Sequence, residues 1–260
     1  MFNGGLTALI VNEGEKSEKF LKAYLLRLKF KNDSSTVFRR ITSLSDDGNL
    51  SSLVWKNSAQ DALDNFNVEE LENLLKIGKT KTSSKADLSV NNISYSLKEI
   101  SANPPAIVNH TTRPGFETAC NHVNSSINEL DNIISKYWSL RKAGLISEDT
   151  KTSDTNCPFN AHKDYLKPII EYFLFTGSGR GPSEFPAEKI LEIDYHNLPD
   201  SIEIFERDDY FEKIWSRLVF SLRSKSMPKK YPKCDNSESI SIWTCYSNGK
   251  NKGALHIRVR

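Results

Sequence analysis

The sequence predicts an α/β chain, and three observations carry that expectation. Ala86, Leu88 and Val90 alternate with Lys85, Asp87 and Ser89, and Ile93, Tyr95 and Leu97 alternate with Ser94, Ser96 and Lys98, the period-two pattern of two half-buried strands. Phe20, Leu21, Tyr24, Leu25 and Leu28 recur at helical spacing, as do Cys120, Val123, Ile127, Leu130, Ile134 and Tyr137. Beyond these, short strand-like runs and helical stretches alternate to the C-terminus.

In chain order, a first helix is expected over about Ala8 to Phe30, with Glu15, Lys16, Glu18, Lys19, Lys22 and Arg27 on its polar face. Val37–Ile41 reads as a short strand, and Ser45-Asp46-Asp47-Gly48-Asn49 as a polar turn. Asn67 then opens a helix as its N-cap, with Glu70 three residues on in the capping-box position, and Gly78 closes it. Past the paired strands, Asn109–Phe116 is expected as a donor-rich loop before one helix of roughly seven turns running to Leu140.

Ser147–Pro158 is polar and aperiodic, a loop and a seam between residues 1–146 and 147–260, unless the whole chain is a single domain. A helix around Tyr165–Leu174 stops at Thr176-Gly177-Ser178-Gly179-Arg180-Gly181-Pro182, which lacks the spacing of a nucleotide-phosphate loop and reads as a flexible connector carrying Arg180. Lys189–Ile193 and Ser201–Phe205 read as strands, Asp208 as the cap of a helix reaching Leu222, and Ser239–Tyr246 with Ala254–Val259 as a terminal hairpin.

Composition bounds the function. At 260 residues the chain can bury a sizeable core, and 38% hydrophobic against 26% charged residues excludes a disordered or fibrous class. No run approaches the ~18 consecutive apolar residues of a membrane span, and the first residues carry no secretory pattern, so a cytoplasmic protein without a membrane partner is expected. Cys120, Cys157, Cys234 and Cys245 show no C-x-x-C spacing and His122 and His162 complete no zinc pattern, so structural thiols are expected. A net charge of +2 decides nothing by itself, but basic residues gather at Lys76–Lys85, at Arg223–Lys233 and in the tail from Lys250 to Arg260, enough to neutralise phosphates locally.

The two alternating runs flank Asn91-Asn92, residues that tolerate positive φ and so suit a two-residue primed turn. That turn sets Val90 against Ile93, Leu88 against Tyr95 and Asp87 against Ser96. Asp87, Ser96 and Lys98 then share one face, within about 4.5–8 Å of one another at Cβ. A carboxylate there suits Mg²⁺, a hard cation that takes one or two protein carboxylates and leaves other positions to water and phosphate. A lysine beside it can position a water or stabilise phosphate charge. The plainer alternative is a solvated cross-strand ion pair.

This arrangement resembles the catalytic hairpin of the PD-(D/E)xK nuclease superfamily, in particular the type II restriction endonucleases, whose fold is a mixed sheet flanked by helices. Lys85-Ala86-Asp87-Leu88 is similar to the metal-binding aspartate strand, and Ser96-Leu97-Lys98 to the strand carrying carboxylate-x-lysine. Ser96 stands where the family has Glu or Asp, and no proline precedes Asp87. The metal would therefore fall to Asp87, the Leu97 carbonyl and a more distant carboxylate, with Glu18 of the first helix the first candidate and Glu15 the second.

The resemblance implies a prokaryotic, Mg²⁺-dependent endonuclease acting on double-stranded DNA at a short sequence and leaving 5′-phosphate ends. It also implies a partner DNA methyltransferase and either a homodimer on a palindromic site, frequent among such enzymes, or a monomer, as others of this size are. His110, Arg113, Arg180, Lys229 and Lys230 are the expected DNA contacts. A nuclease without sequence specificity, and a catalytically silent DNA-binding module in which Ser96 marks a lost site, are the alternatives.

Overall fold

The computed structural model describes residues 13–35, 37–101, 106–198, 200–224 and 241–260, which fold as two compact units. The first unit takes residues 1–81, 87–103 and 191–204; the second takes 82–86, 104–190 and 205–260. The chain is α/β, with helices and sheet in each unit.

In the first unit the helix Glu13–Lys31 buries Phe20, Leu21, Leu25 and Leu28, the expected stripe. Beside it lies a sheet in the order Leu44–Ser45, Leu88–Val90, Ile93–Glu99, Lys189–Ile193 and Glu203–Phe205, of whose last two strands the first unit holds Leu191–Ile193 and Glu203–Ile204. Leu88, Val90, Tyr95, Leu191 and Ile193 pack with Phe20, Leu21 and Leu25 into one apolar core. Val37–Ile41 is not a strand: Phe38 and Ile41, three apart, are both buried, which alternation forbids, and edge pairing passes to Leu44–Ser45. Asn67 accepts from the Glu70 N–H as expected, but its helix, Val68–Leu75, closes at left-handed Lys76 rather than at Gly78.

Lys22 departs most from expectation. It is fully buried, and its Nζ donates to Glu18 Oε1 at 2.8 Å, Asp46 Oδ2 at 2.8 Å and Thr80 Oγ1 at 2.8 Å. Helical spacing puts Glu18 and Lys22 one turn apart, and Asp46 and Thr80 close the other sides of the ammonium. A charge taken so far from water survives because each donor has an acceptor.

In the second unit four strands run in the order Ala106–Thr112, Ala254–Val259, Leu218–Arg223 and Thr150–Lys151, and every pairing is antiparallel. Leu218, Phe220, Leu222, Leu255 and Ile257 face a core shared with Phe116, Ile134, Phe159 and Ile170. Five expectations change here. Asn109–Phe116 is the end of a strand followed at once by the helix Arg113–His122, not a loop. The seven-turn helix is two, because Asn124 takes φ 54° and Ser126 starts the second, Ile127–Lys142, by accepting from the Asn128 N–H. Within the polar seam, Thr150–Lys151 is a strand. The helix Arg207–Trp215 follows Glu206, with Asp208 in its first turn rather than at its cap, and Leu218–Arg223 is a strand. A continuous apolar run cannot tell buried helix from central strand, and pairing on both sides decides for strand.

The last change is at the C-terminus. Cys245–Ser247 pairs with Lys250–Lys252 across Asn248-Gly249, while Ala254–Val259 joins the main sheet instead of a terminal hairpin; Ser239 and Ile240 lie outside the described residues. Cys120, Cys157 and Cys245 are buried and unbridged, and Cys234 is outside the described residues. No described helix is long and apolar enough to cross a membrane.

Two outcomes test the buried cluster. Lys22→Met, which leaves Glu18 and Asp46 without their cation, costs about 3–5 kcal/mol in urea unfolding. Burial pushes the Asp46 carboxyl up, but the Lys22 bond and charge outweigh it and hold it below its usual value. Its stabilisation is therefore complete above the ordinary Asp value and is lost as pH falls through the depressed one, so Asp46→Asn lowers stability at neutral pH and flattens the acid limb of a Tm-against-pH curve.

Candidate active site

The hairpin Leu88–Val90 and Ile93–Glu99 forms in the expected register, Val90 opposite Ile93 and Leu88 opposite Tyr95. Asn91 and Asn92 take φ 52° and 66°, the positive values a primed turn needs. Asn91 also ties the turn to the preceding edge: its Oδ1 accepts from the Thr42 N–H at 2.8 Å and its Nδ2 donates to the Arg40 carbonyl at 2.7 Å. The reversal is thus held from two sides, and with it the alternation that sends Leu88, Val90 and Tyr95 into the core.

The opposite face carries Asp87, Ser96 and Lys98. The Asp87 N–H donates to the Tyr95 carbonyl at 2.8 Å, which continues the ladder and sets Asp87 beside Ser96. Asp87 Oδ2 accepts from the Leu97 N–H at 2.6 Å and lies 3.5 Å from Ser96 Oγ, and Lys98 Nζ donates to Ser96 Oγ at 2.9 Å. Asp87 and Lys98 are half-buried and Ser96 is buried. Carboxylate and ammonium thus meet across one hydroxyl, with Ser96 spacing the two rather than supplying a second charge.

Burial dominates the electrostatics. It raises the Asp87 carboxyl above its usual value against the pull of the Lys98 charge and the Leu97 N–H, and the negative charge of Glu18 adds to the rise. Burial likewise lowers the Lys98 ammonium, against the nearby charges of Asp87 and Glu192. Both groups are held toward their neutral forms. A carboxylate in that condition is short of positive charge, and a further cation would stabilise it.

Glu18 sits where its charge reaches Asp87. Its Oε1 accepts from the Thr80 N–H at 2.7 Å, from Thr80 Oγ1 and from Lys22, whereas among the described residues no donor reaches Oε2. Thr80 Oγ1 also lies 2.8 Å from the Asp87 carbonyl, linking the cluster to the aspartate strand. Glu15 pairs with Lys79 toward solvent. Glu99, on the other side of its strand, is engaged by Ser17 and Ser101.

Sequence reading missed Lys22, Asp46 and Thr80, which orient Glu18, and Glu192, a buried carboxylate on the strand beside Ile93–Glu99 whose charge reaches Lys98. A glutamate inside the apolar run Ile190-Leu191-Glu192-Ile193 was the available signal. Among the described residues no group of three or more His, Cys, Asp or Glu could hold a metal by themselves. A single half-buried carboxylate, Asp87, with the charge of Glu18 acting on it, suits a cation that keeps most of its ligands as water and phosphate, as Mg²⁺ does.

The expected DNA contacts are placed unevenly. Arg113 is turned inward, its Nε and Nη2 on Asp131 at 2.9 and 2.8 Å and its Nη1 3.4 Å from Glu117. His110, at φ 46°, packs edge-on against His256 with centroids 5.1 Å apart. Arg180 is exposed at the tip of the small ribbon Gly177–Ser178 and Gly181–Pro182. Lys229 and Lys230 lie outside the described residues.

No protein-family model matches the chain, and no curated protein matches it. Among solved structures, the restriction endonuclease MspI in complex with its cognate DNA is similar at 15% identity and a TM-score of 0.35, over 70% of this chain and 65% of that one. The match thus spans less than two thirds of that protein, and a likeness at this level carries no argument for fold or activity, which is left to the residues of the site itself.

Proposed function

We propose that the chain is a Mg²⁺-dependent endonuclease of the PD-(D/E)xK type that hydrolyses phosphodiesters of double-stranded DNA at a short specific sequence, the nuclease partner of a DNA methyltransferase. One observation carries this reading: Asp87, Ser96 and Lys98 lie on one half-buried face of a register-locked hairpin, with Lys98 Nζ and the Asp87 carboxylate meeting at the Ser96 hydroxyl.

In this reading Asp87 holds the cation, with Glu18 Oε2 and the Leu97 carbonyl completing the protein's share. When bound, Mg²⁺ neutralises charge on the phosphate oxygens and makes a bound water more acidic. Lys98, held toward its neutral form by burial, accepts a proton from the attacking water. That oxygen bonds to phosphorus in line with the departing 3′ oxygen, the P–O3′ bond breaks, the 3′ oxygen takes a proton from solvent water to leave as a hydroxyl, and the phosphate stays on the 5′ end. Ser96 donates no charge; it keeps Lys98 and Asp87 at a fixed separation, so the neutral residue in this position is compatible with the chemistry. Lys22 offsets the charge of Glu18 and holds its Oε1, leaving Oε2 for the cation.

Incubating the purified protein with phage DNA and Mg²⁺ yields discrete fragments on this account. A smear assigns a nuclease without sequence specificity, and intact DNA overturns the nuclease reading. Lys98→Ala lowers the cleavage rate by about 10²–10⁴-fold and Asp87→Ala by at least as much, both without loss of DNA binding; full activity in either variant removes that residue from the mechanism. Mg²⁺ or Ca²⁺ raises the Tm of the wild-type chain and not of Asp87→Ala, because a ligand that binds only the folded state stabilises it; equal shifts in both would place the cation elsewhere.

A further inference from the structure

Resting on the DNA reading above, we propose that the second unit carries a separate site for a backbone phosphodiester of DNA, in the cleft between the strand Ala106–Thr112, the helix Arg113–His122 and the ribbon at Gly177–Pro182. The cleft has a volume of about 440 Å³, and Asn109, Thr111, Thr112, Ser178 and Arg180 line it. Its lining contains one cation and no carboxylate. That composition suits an anion that also accepts several hydrogen bonds, and a phosphodiester presents such oxygens to arginine, asparagine and hydroxyl donors alike.

The two arginines near this cleft differ in how they are used. Arg113 is neutralised by Asp131 and Glu117. Arg180 makes no ion pair among the described residues and its guanidinium has no hydrogen-bond acceptor there, although its backbone N–H is held by Ser178 Oγ at 3.2 Å. The side chains of Asn109, Thr111 and Thr112 are likewise without partners among the described residues, and the Thr112 hydroxyl makes no bond to the helix it precedes. Unpaired donors concentrated around one concave space, beside a guanidinium without a counter-charge, have the makings of a site built for an external acceptor.

The walls are set by backbone. A Cβ built on Gly115 would come within 3.1 Å of the Gly179 Cα and 2.6 Å of Thr111 Cγ2, and one on Gly179 within 3.1 Å of the Gly115 Cα. Only glycine at both positions lets the helix sit this closely on the ribbon, and this contact fixes Arg180 beside Asn109 and Thr111 instead of leaving it on a free loop.

The test is binding of a short DNA duplex by the full chain without divalent metal, followed by fluorescence anisotropy over a series of salt concentrations. The expected result for Arg180→Ala is about tenfold weaker binding at moderate salt and a log K against log salt slope reduced by about one. Asn109→Ala weakens binding with the slope unchanged, because its donor is neutral, and Arg180→Lys keeps the slope. An unchanged slope and affinity in Arg180→Ala overturns the site while leaving the nuclease reading intact. Weaker binding with an unchanged slope overturns the phosphate assignment in favour of a base contact. An effect of Arg180 without any effect of Asn109 reduces the site to one exposed arginine and overturns the cleft. Failure of the wild-type chain to bind any duplex counts against the DNA reading itself, a result distinct from these.

Discussion

Everything at the candidate active site depends on the reversal at Asn91-Asn92. Side chains alternate along a strand with a period of two, so a slip of one residue between the two strands would carry Ser96 and Lys98 together to the face opposite Asp87 and drop the contacts of Asp87 with Ser96 and the Leu97 N–H. Two adjacent residues at positive φ are costly for most side chains and cheap for asparagine. The Asn91 amide spends its own hydrogen-bonding groups on residues 40–43, so local chain chemistry and the neighbouring edge agree on one register. The core enforces the same answer from the other face, where Leu88, Val90 and Tyr95 are buried and a slip would expose them.

That register sets up a conflict between burial and charge. An aspartate raised and a lysine lowered by the same desolvation are each worse off folded than in water. Lys22 shows the opposite solution: deeper in the fold than either, it is surrounded by acceptors on Glu18, Asp46 and Thr80. One cluster is satisfied and orients; the other is left short of charge. Groups held away from their comfortable protonation states mark sites of chemistry more often than sites of stability, and the pairing of a satisfied cluster behind an unsatisfied one is what a catalytic position needs to be both rigid and reactive.

The hairpin was legible in the sequence because its signal is local. Alternation over Asp87–Val90 and Ile93–Lys98 and the Asn-Asn pair between them specify faces and register without reference to the rest of the chain. The burial of Lys22 was not legible: its place on the first helix points it, by composition, at solvent, and only Asp46 and Thr80, distant in sequence, reverse that. Glu18 was put forward through the resemblance, whereas Glu192 needed the neighbouring strand. In the second unit, Leu218–Leu222 is apolar enough for helix or strand, and tertiary pairing with Ala254–Val259 settled it. Arg113 and Arg180 are equivalent in composition and are told apart by Asp131, eighteen residues beyond the first, and Glu117, which claim one guanidinium and not the other.

The most direct measurement is a crystal structure of the full chain grown with Mn²⁺ in place of Mg²⁺, read by its anomalous signal. The account predicts a peak at Asp87, bound by its carboxylate with Glu18 Oε2 or the Leu97 carbonyl contributing oxygen, at the ~2.0–2.1 Å typical of the hard octahedral ion it replaces. A peak at another place in the chain, or none at Asp87 with Lys98 still seated on Ser96, would contradict it.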